Sequence, residues 1–322
     1  MPSPAVASAA NAASFRGRTA LVTGSSDGIG FQIARALAAA GARVLMPVRN
    51  RRKGERAMAR ILSDAPAARL ELLDLELLDL DLARLDSVAA LASMLVLRGE
   101  PIELLVLNAG VVQLAEQDRQ LTRDGFELAF QTNFLGHFAL TLGLLPLLRA
   151  GGARVAVQCS VAAAGARVRW GDLSGEARGA SPGSRGYRPF RAYRTSKAAL
   201  GLFGLELARR SAAAGWGVSV HLCHPGIAPG SAIAPKLRAM FPRSLVEWAV
   251  AHLGNPPHAA AQTALAALAA APRTEPRMFV PGGPLELAGT PRERAPFSSL
   301  DRPGDARMMW DLASRWAGGA FA

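Results

Sequence analysis

TGSSDGIGFQIARAL, residues 23–37, begins where the apolar run TALV ends and runs into an amphipathic pattern that stops at Gly41. Gly24, Gly28 and Gly30 stand at a fixed stagger inside it. Glycine permits a sharp turn and lets main-chain N–H groups come close to a ligand. The helix start behind such a turn favours an anion. In this strand–turn–helix setting Gly24 makes the turn, Gly28 gives a pyrophosphate room, and Gly30 lets helix and strand pack. Ser25, Ser26, Asp27 and Ile29 join the glycines as candidates for holding a dinucleotide.

Outward from that stretch, short apolar runs alternate with longer helical patterns. Residues 42–48, 102–110, 153–160, 217–226 and 277–283 read as strands. Residues 53–63, a segment running to 98, 124–149 and 191–210 read as helices, the third as one long helix. This alternation predicts an α/β fold of Rossmann type, a doubly wound parallel sheet with helices on both faces. The opening residues, rich in Ala, Ser and Pro, lack the basic and apolar regions of a signal peptide. We therefore expect a disordered tail over 1–15 and a single domain over 16–322, with a lid around 227–258. The repeated look of LELLDLELLDLDL (70–82) fits a local insertion, because nothing recurs at a longer period.

The 322 residues carry a formal charge of +12, and half of them are hydrophobic. The arginines are dispersed and no aromatic-interleaved basic stripe exists, so a nucleic-acid partner is not expected. No apolar run reaches the about 18 residues that a membrane span needs. The two cysteines, Cys159 and Cys223, lie in apolar strand patterns, which suits buried free thiols and a cytoplasmic location. His221 and His224 imitate a metal pair, but on a strand their side chains would diverge, so no metal is expected.

The glycine spacing, LNAG (107–110), NFLGHF (133–138), Cys159–Ser160, AYRTSK (192–197) and HPG (224–226) occur together in one order. In this the chain resembles the short-chain dehydrogenase/reductase family along nearly its whole length. TNFLGHF, YRPFRAY and AAQTALAALAA resemble its retinol-dehydrogenase-like and WW-domain-oxidoreductase-like branch. The resemblance implies an oxidoreductase in which Asn108, Ala109, Gly110, Pro225 and Gly226 help hold the nicotinamide nucleotide. It also implies that Asp81 and Leu82, from DLARLDSV, meet the adenine; Asp74 and Asp79 are the other acidic candidates. Helices 124–149 and 189–210 would form a homodimer or homotetramer interface, although monomers occur in this branch.

An NAD enzyme of this fold usually ends its second strand on an acidic residue that binds the ribose 2′-OH. Here Val48 takes that place, followed by Arg49 and Asn50. A guanidinium suits a 2′-phosphate. NADP(H) is therefore expected ahead of NAD(H), although Asp27 stands where some NADP enzymes carry a basic residue.

Tyr193 and Lys197 fall at i and i+4, on one face of a helix. A nearby ammonium should lower the phenol from its reference pKa of about 10. The resemblance gives Tyr193 the proton transfer and Ser160 a hydrogen bond to the substrate oxygen. It gives Lys197 the nucleotide ribose and Asn133 a water that links Lys197 to solvent.

Two departures stand out. A Gly/Ser/Arg-rich loop, 174–187, lengthens the Ser160 to Tyr193 interval. Gly230, with Ser231 beside it, replaces the Thr that often follows HPG. The lid offers Leu237, Met240, Phe241, Leu245, Trp248 and Leu253, which favours a lipophilic alcohol or carbonyl. A non-catalytic dinucleotide sensor or scaffold with the same fold is the alternative.

Overall fold

The computed structural model describes residues 15–64, 70–71, 80–113, 118–168, 170, 173, 187–228 and 254–318. The expected tail up to residue 14, most of the lid, the 174–187 loop up to residue 186, Asp74 and Asp79 lie outside the described residues. Phe15, expected in the tail, is instead buried in the core.

Among the described residues, eight strands form one sheet: β1 (Thr19–Val22), β2 (Arg43–Leu45), β3 (Leu70–Glu71), β4 (Leu104–Leu107), β5 (Arg154–Gln158), β6 (Ser219–Cys223), β7 (Met278–Pro281) and β8 (Pro291–Arg294). Their order is β3-β2-β1-β4-β5-β6-β7-β8. All pairings are parallel up to β7, and β8 closes the edge antiparallel. The chain reverses direction across the sheet between β1 and β4, so a crevice opens at their carboxyl ends.

The helices are α1 (Gly28–Ala39), α2 (Arg51–Asp64), α3 (Leu85–Arg98), α5 (Leu145–Ala150), α6 (Pro189–Ala214), α7 (Pro257–Ala260), α8 (Gln262–Ala269) and α9 (Pro303–Ala317), together with a composite α4. Phe31 and Leu37 of α1, Ile61 of α2 and Leu268 of α8 cover one sheet face. Leu91 of α3, Phe203 of α6 and Trp310 of α9 belong to the core on the other. Every residue of β4 and β6 is buried, as a sheet covered on both sides requires.

The helix expected over 124–149 is not continuous. Composite α4 consists of Leu128–Phe130, the π-helical Gln131–Leu135 and Gly136–Gly143, and α5 restarts after Leu144. Pro146 occupies the first turn of α5, where its missing N–H costs nothing. The π-helical turn holds Asn133. Such turns recur at functional sites.

Helix α9 lies across α6. The Trp310 ring meets Phe138 at 5.2 Å and Phe203 at 5.8 Å, while the Arg210 guanidinium stacks over it at 4.4 Å. The helix pair that the resemblance offered for association thus carries a helix of the same chain.

Candidate active site

The end of β1 is tied to the end of β4. The Thr23 Oγ1 accepts the N–H groups of Asn108 at 2.9 Å and Ala109 at 3.0 Å, while Asn108 Nδ2 donates to the Thr23 carbonyl at 2.9 Å. Gly24 has φ +69°, and a Cβ there would lie 2.9 Å from the Ala109 Cα. A Cβ on Gly30 would fall 2.2 Å from the Gly24 carbonyl oxygen. These two glycines therefore allow α1 to start against the turn. Asp27 caps that start, its carboxylate accepting the Gly28 N–H at 2.7 Å.

The crevice encloses about 320 Å³. Gly24, Ser26, Asp27, Gly28, Ile29 and Gly30 form its floor. Arg49, Asp81, Leu82, Asn108, Ala109 and Gly110 of the expected set also line it. Ser25 and Asn50 are absent from its lining. Ser25 is fully buried, and Asn50 Oδ1 instead accepts the Lys53 N–H at the start of α2. Six lining residues stand outside the expected set: Pro47, Val48, Lys53, Leu80, Val111 and Thr132. Lys53 was legible as a second cation close after Arg49, in the first turn of α2.

A second cavity of about 460 Å³ shares Ile29, Asn108 and Gly110 with the crevice, so the two join into one cleft. Ser160, Tyr193 and Lys197 stand in it together, with Pro225 and Gly226 across from them. Much of its remaining wall is apolar, from Val112, Val161, Ala162, Phe190, Ile227 and Ala228. Gln158 and Arg194 also line it and were not anticipated.

Asn133 is fully buried and stands behind this wall. Its Oδ1 accepts the Val111 N–H at 2.7 Å, and its Nδ2 donates to the Val111 carbonyl and to Ser196 Oγ at 2.9 Å. A Cβ on Gly110 would lie 3.3 Å from Asn133 Oδ1 and 3.4 Å from Lys197 Nζ, which brings these two groups to the same spot.

The electrostatics depart from expectation at one point. Burial raises the Tyr193 phenol above its ordinary pKa, and the hydrogen bond with Ser160 works in the opposite direction. The Lys197 ammonium is not among the groups that set this value, and its Nζ donates to the Gln158 carbonyl at 2.9 Å. Burial brings Lys197 itself down to about 8. The Cys159 thiol is pushed up to about 12 by burial, which keeps it protonated and unreactive. His221 and His224 serve separate partners, accepting the N–H groups of Arg277 and Gly226.

The short chain dehydrogenase family matches residues 18–171. Polyprenol dehydrogenase from Mus musculus is 39% identical over 216 residues, covering 66% of this chain and 60% of that protein. Retinol dehydrogenase 12 from Mus musculus is 36% identical over 212 residues, covering 66% of this chain and 61% of that protein. The chain thus spans about 60% of the length of these curated relatives. Among solved structures, the Pseudomonas aeruginosa RhlG/NADP active-site complex is 29% identical with a TM-score of 0.58, covering 80% of this chain and 90% of that one. The glycine turn, the sheet order and these likenesses agree: the chain belongs to the short-chain dehydrogenase/reductase family of oxidoreductases, with retinol-dehydrogenase-like relatives.

Proposed function

We propose that the chain is an NADP(H)-dependent oxidoreductase that interconverts a lipophilic alcohol and its carbonyl compound. One observation carries this reading: Ser160, Tyr193 and Lys197 share a largely apolar cavity that opens into a glycine-floored crevice.

The crevice fits a dinucleotide. The glycines at 24 and 30 let the turn pack against Asn108 and Ala109, and the start of α1 lines the crevice. Gly24 through Gly30 would take the pyrophosphate, Asp81 and Leu82 the adenine, and Asn108 to Gly110 the nicotinamide half. Arg49 and Lys53 supply two cations at the rim while Val48 offers no carboxylate, which supports a 2′-phosphate. Bound there, NADP(H) would supply or accept the hydride.

The protein's own part is proton transfer. Burial raises the Tyr193 pKa, offset in part by the hydrogen bond with Ser160, and so keeps a proton on its hydroxyl to give. Its hydroxyl gives that proton to the carbonyl oxygen as the oxygen becomes an alkoxide, and Ser160 donates a hydrogen bond to the same oxygen. Lys197 shares the cavity, and its ammonium would steady the phenolate that forms. Asn133 fixes the Val111 backbone beside them. In the alcohol-oxidising direction each proton move reverses.

The apolar wall and the name of one relative, a polyprenol dehydrogenase, both support a lipophilic substrate. Two buried unpaired cysteines support a reducing, cytoplasmic setting. Among the described residues no helix is long and apolar enough to cross a membrane. A homodimer or homotetramer would have to accommodate α9 on the α4 and α6 face.

The test is nucleotide oxidation by the purified chain with a panel of long-chain aldehydes, cyclic ketones and isoprenoid aldehydes. NADPH-dependent turnover of the apolar members is expected. Tight nucleotide binding without turnover of any member would favour the sensor alternative. Failure of both nucleotides to bind at millimolar concentration would contradict the reading.

A further inference from the structure

The turn that follows Ser160 has almost no side chains of its own with which to hold a shape: its sequence is VAAAGA, residues 161–166. Its internal bonds are few. Ser160 Oγ accepts the Ala162 N–H at 3.1 Å, the Ser160 and Val161 carbonyls accept the N–H groups of Ala163 and Ala164, each at 2.9 Å, and the Ala163 carbonyl accepts the Ala166 N–H at 3.1 Å. Three successive carbonyls, of Ala162, Ala163 and Ala164, are then met by donors from elsewhere.

Two of those donors belong to one residue. Arg194 Nε donates to the Ala162 carbonyl at 3.0 Å, and Nη2 donates to the Ala164 carbonyl at 3.1 Å. Arg194 directly follows Tyr193 on α6, so the guanidinium ties the Ser160 turn to the backbone that carries the phenol. The third donor arrives from the other end of the chain. The Ser299 hydroxyl donates to the Ala163 carbonyl at 2.9 Å, and its Oγ accepts the Gly165 N–H at 3.2 Å. The next residue, Leu300, fills the space that Gly201 leaves: a Cβ at position 201 would lie 2.7 Å from Leu300 Cδ1 and 3.4 Å from Cys159 Sγ. The segment between β8 and α9 is thus wedged beside the residue that precedes Ser160.

This turn also forms cavity wall, through Val161, Ala162 and Ala164. Its position therefore sets both the aim of the Ser160 hydroxyl and the shape of the substrate space. Ala162 and Ala164 are half-buried, and Arg194 is the donor that meets both their carbonyls, while Ser299 adds a second donor to the Ala163 carbonyl, so the two side chains bias where the turn rests.

We propose that Arg194 and Ser299 are positioning residues that clamp the Ser160 turn against Tyr193, so that both hydroxyls meet one substrate oxygen. The proposal rests on the oxidoreductase reading above. It assigns the carboxyl-terminal segment a part in catalysis although Ser299 does not line the cleft.

The experiment compares the full-length wild type with Ser299→Ala, Ser299→Thr and Arg194→Met. Steady-state kinetics, NADPH affinity, thermal melting and hydrogen exchange at the Gly165 amide are measured for each. Ser299→Ala should lower kcat about 3- to 10-fold and Arg194→Met about 10- to 100-fold, as lost neutral and charged hydrogen bonds predict. NADPH affinity should stay within about twofold, because neither residue touches the nucleotide crevice. Gly165 exchange should quicken in Ser299→Ala, and Ser299→Thr, which keeps the hydroxyl, should restore both exchange and kcat. A kcat within twofold of wild type for both Ser299→Ala and Arg194→Met would overturn the proposal. So would losses that track only the fraction of unfolded protein. If the wild type turns over no carbonyl, the oxidoreductase reading itself falls, and the Gly165 exchange rate alone then shows whether the clamp exists.

Discussion

The Thr23 hydroxyl and the His137 Nε2 lie 2.9 Å apart, and the other ring nitrogen of His137 lies 3.0 Å from the Asn133 carbonyl oxygen. One buried imidazole thus joins the nucleotide turn to the π-helical turn of α4. With Nδ1–H donating to Asn133, Nε2 accepts from Thr23, whose oxygen remains the acceptor for Asn108 and Ala109. The Thr23 hydroxyl also lies 3.2 Å from the Val106 carbonyl, so it is burial that favours a neutral ring. Burial indeed lowers His137 from 6.5 to about 3, and burial likewise lowers His221 and His224 to about 4.

Acid should therefore destabilise the protein early. All three folded-state values lie below the unfolded value, so the unfolded chain binds more protons between pH 6.5 and about 4. Stability is full above pH 6.5 and falls as the pH drops through that window, by up to about 1.4 kcal/mol per pH unit for each histidine. Urea unfolding at pH 7, 6 and 5 measures the slope, and His137→Gln should flatten it. A stability that stays level from pH 7 to pH 5 would contradict the neutral, buried assignment.

Arg49 and Lys53 should govern the choice between nucleotides. Loss of a charge-assisted contact to a 2′-phosphate costs about 1.5–3 kcal/mol, so Arg49→Ala should raise KM for NADPH about 10- to 100-fold. KM for NADH should change less than about threefold, because that nucleotide has no phosphate at the 2′ position. Lys53→Ala should act in the same direction. An equal effect of Arg49→Ala on both nucleotides would place the guanidinium away from the 2′ group.

Much of this was legible in the sequence for identifiable reasons. The glycine turn, the central strands and the Tyr193–Lys197 pair follow from backbone freedom and from the periods of strand and helix. Strand β8 did not show itself because PRER has no apolar alternation. It is an edge strand stitched by charge, with Glu293 accepting from Arg273 and Arg277, and Glu286 accepting from Arg292 and Arg294. Helix α9 did carry a readable stripe, Ala306, Met309, Trp310, Ala313 and Ala317. The Lys197 bond to the Gln158 carbonyl and the Ser299 contacts join segments far apart in the chain. No local pattern encodes them.

Trp310 anchors that last helix. Only 7% of it is exposed, and it sits among Phe138, Phe203 and Arg210. Trp310→Ala should cost about 3–5 kcal/mol, the usual range for removing a large buried aromatic side chain. Denaturant unfolding measures this directly. A loss below about 1 kcal/mol would mean that α9 is not integral to the core.

The central claim is that the Tyr193 hydroxyl carries the proton exchanged with the substrate oxygen. Tyr193→Phe keeps the ring and removes only that group. The decisive measurement is kcat/KM of this variant beside wild type, on a carbonyl that wild type reduces, with NADPH affinity measured in parallel. The account predicts a fall of about 10²- to 10⁴-fold with NADPH binding retained. Turnover equal to wild type would contradict it.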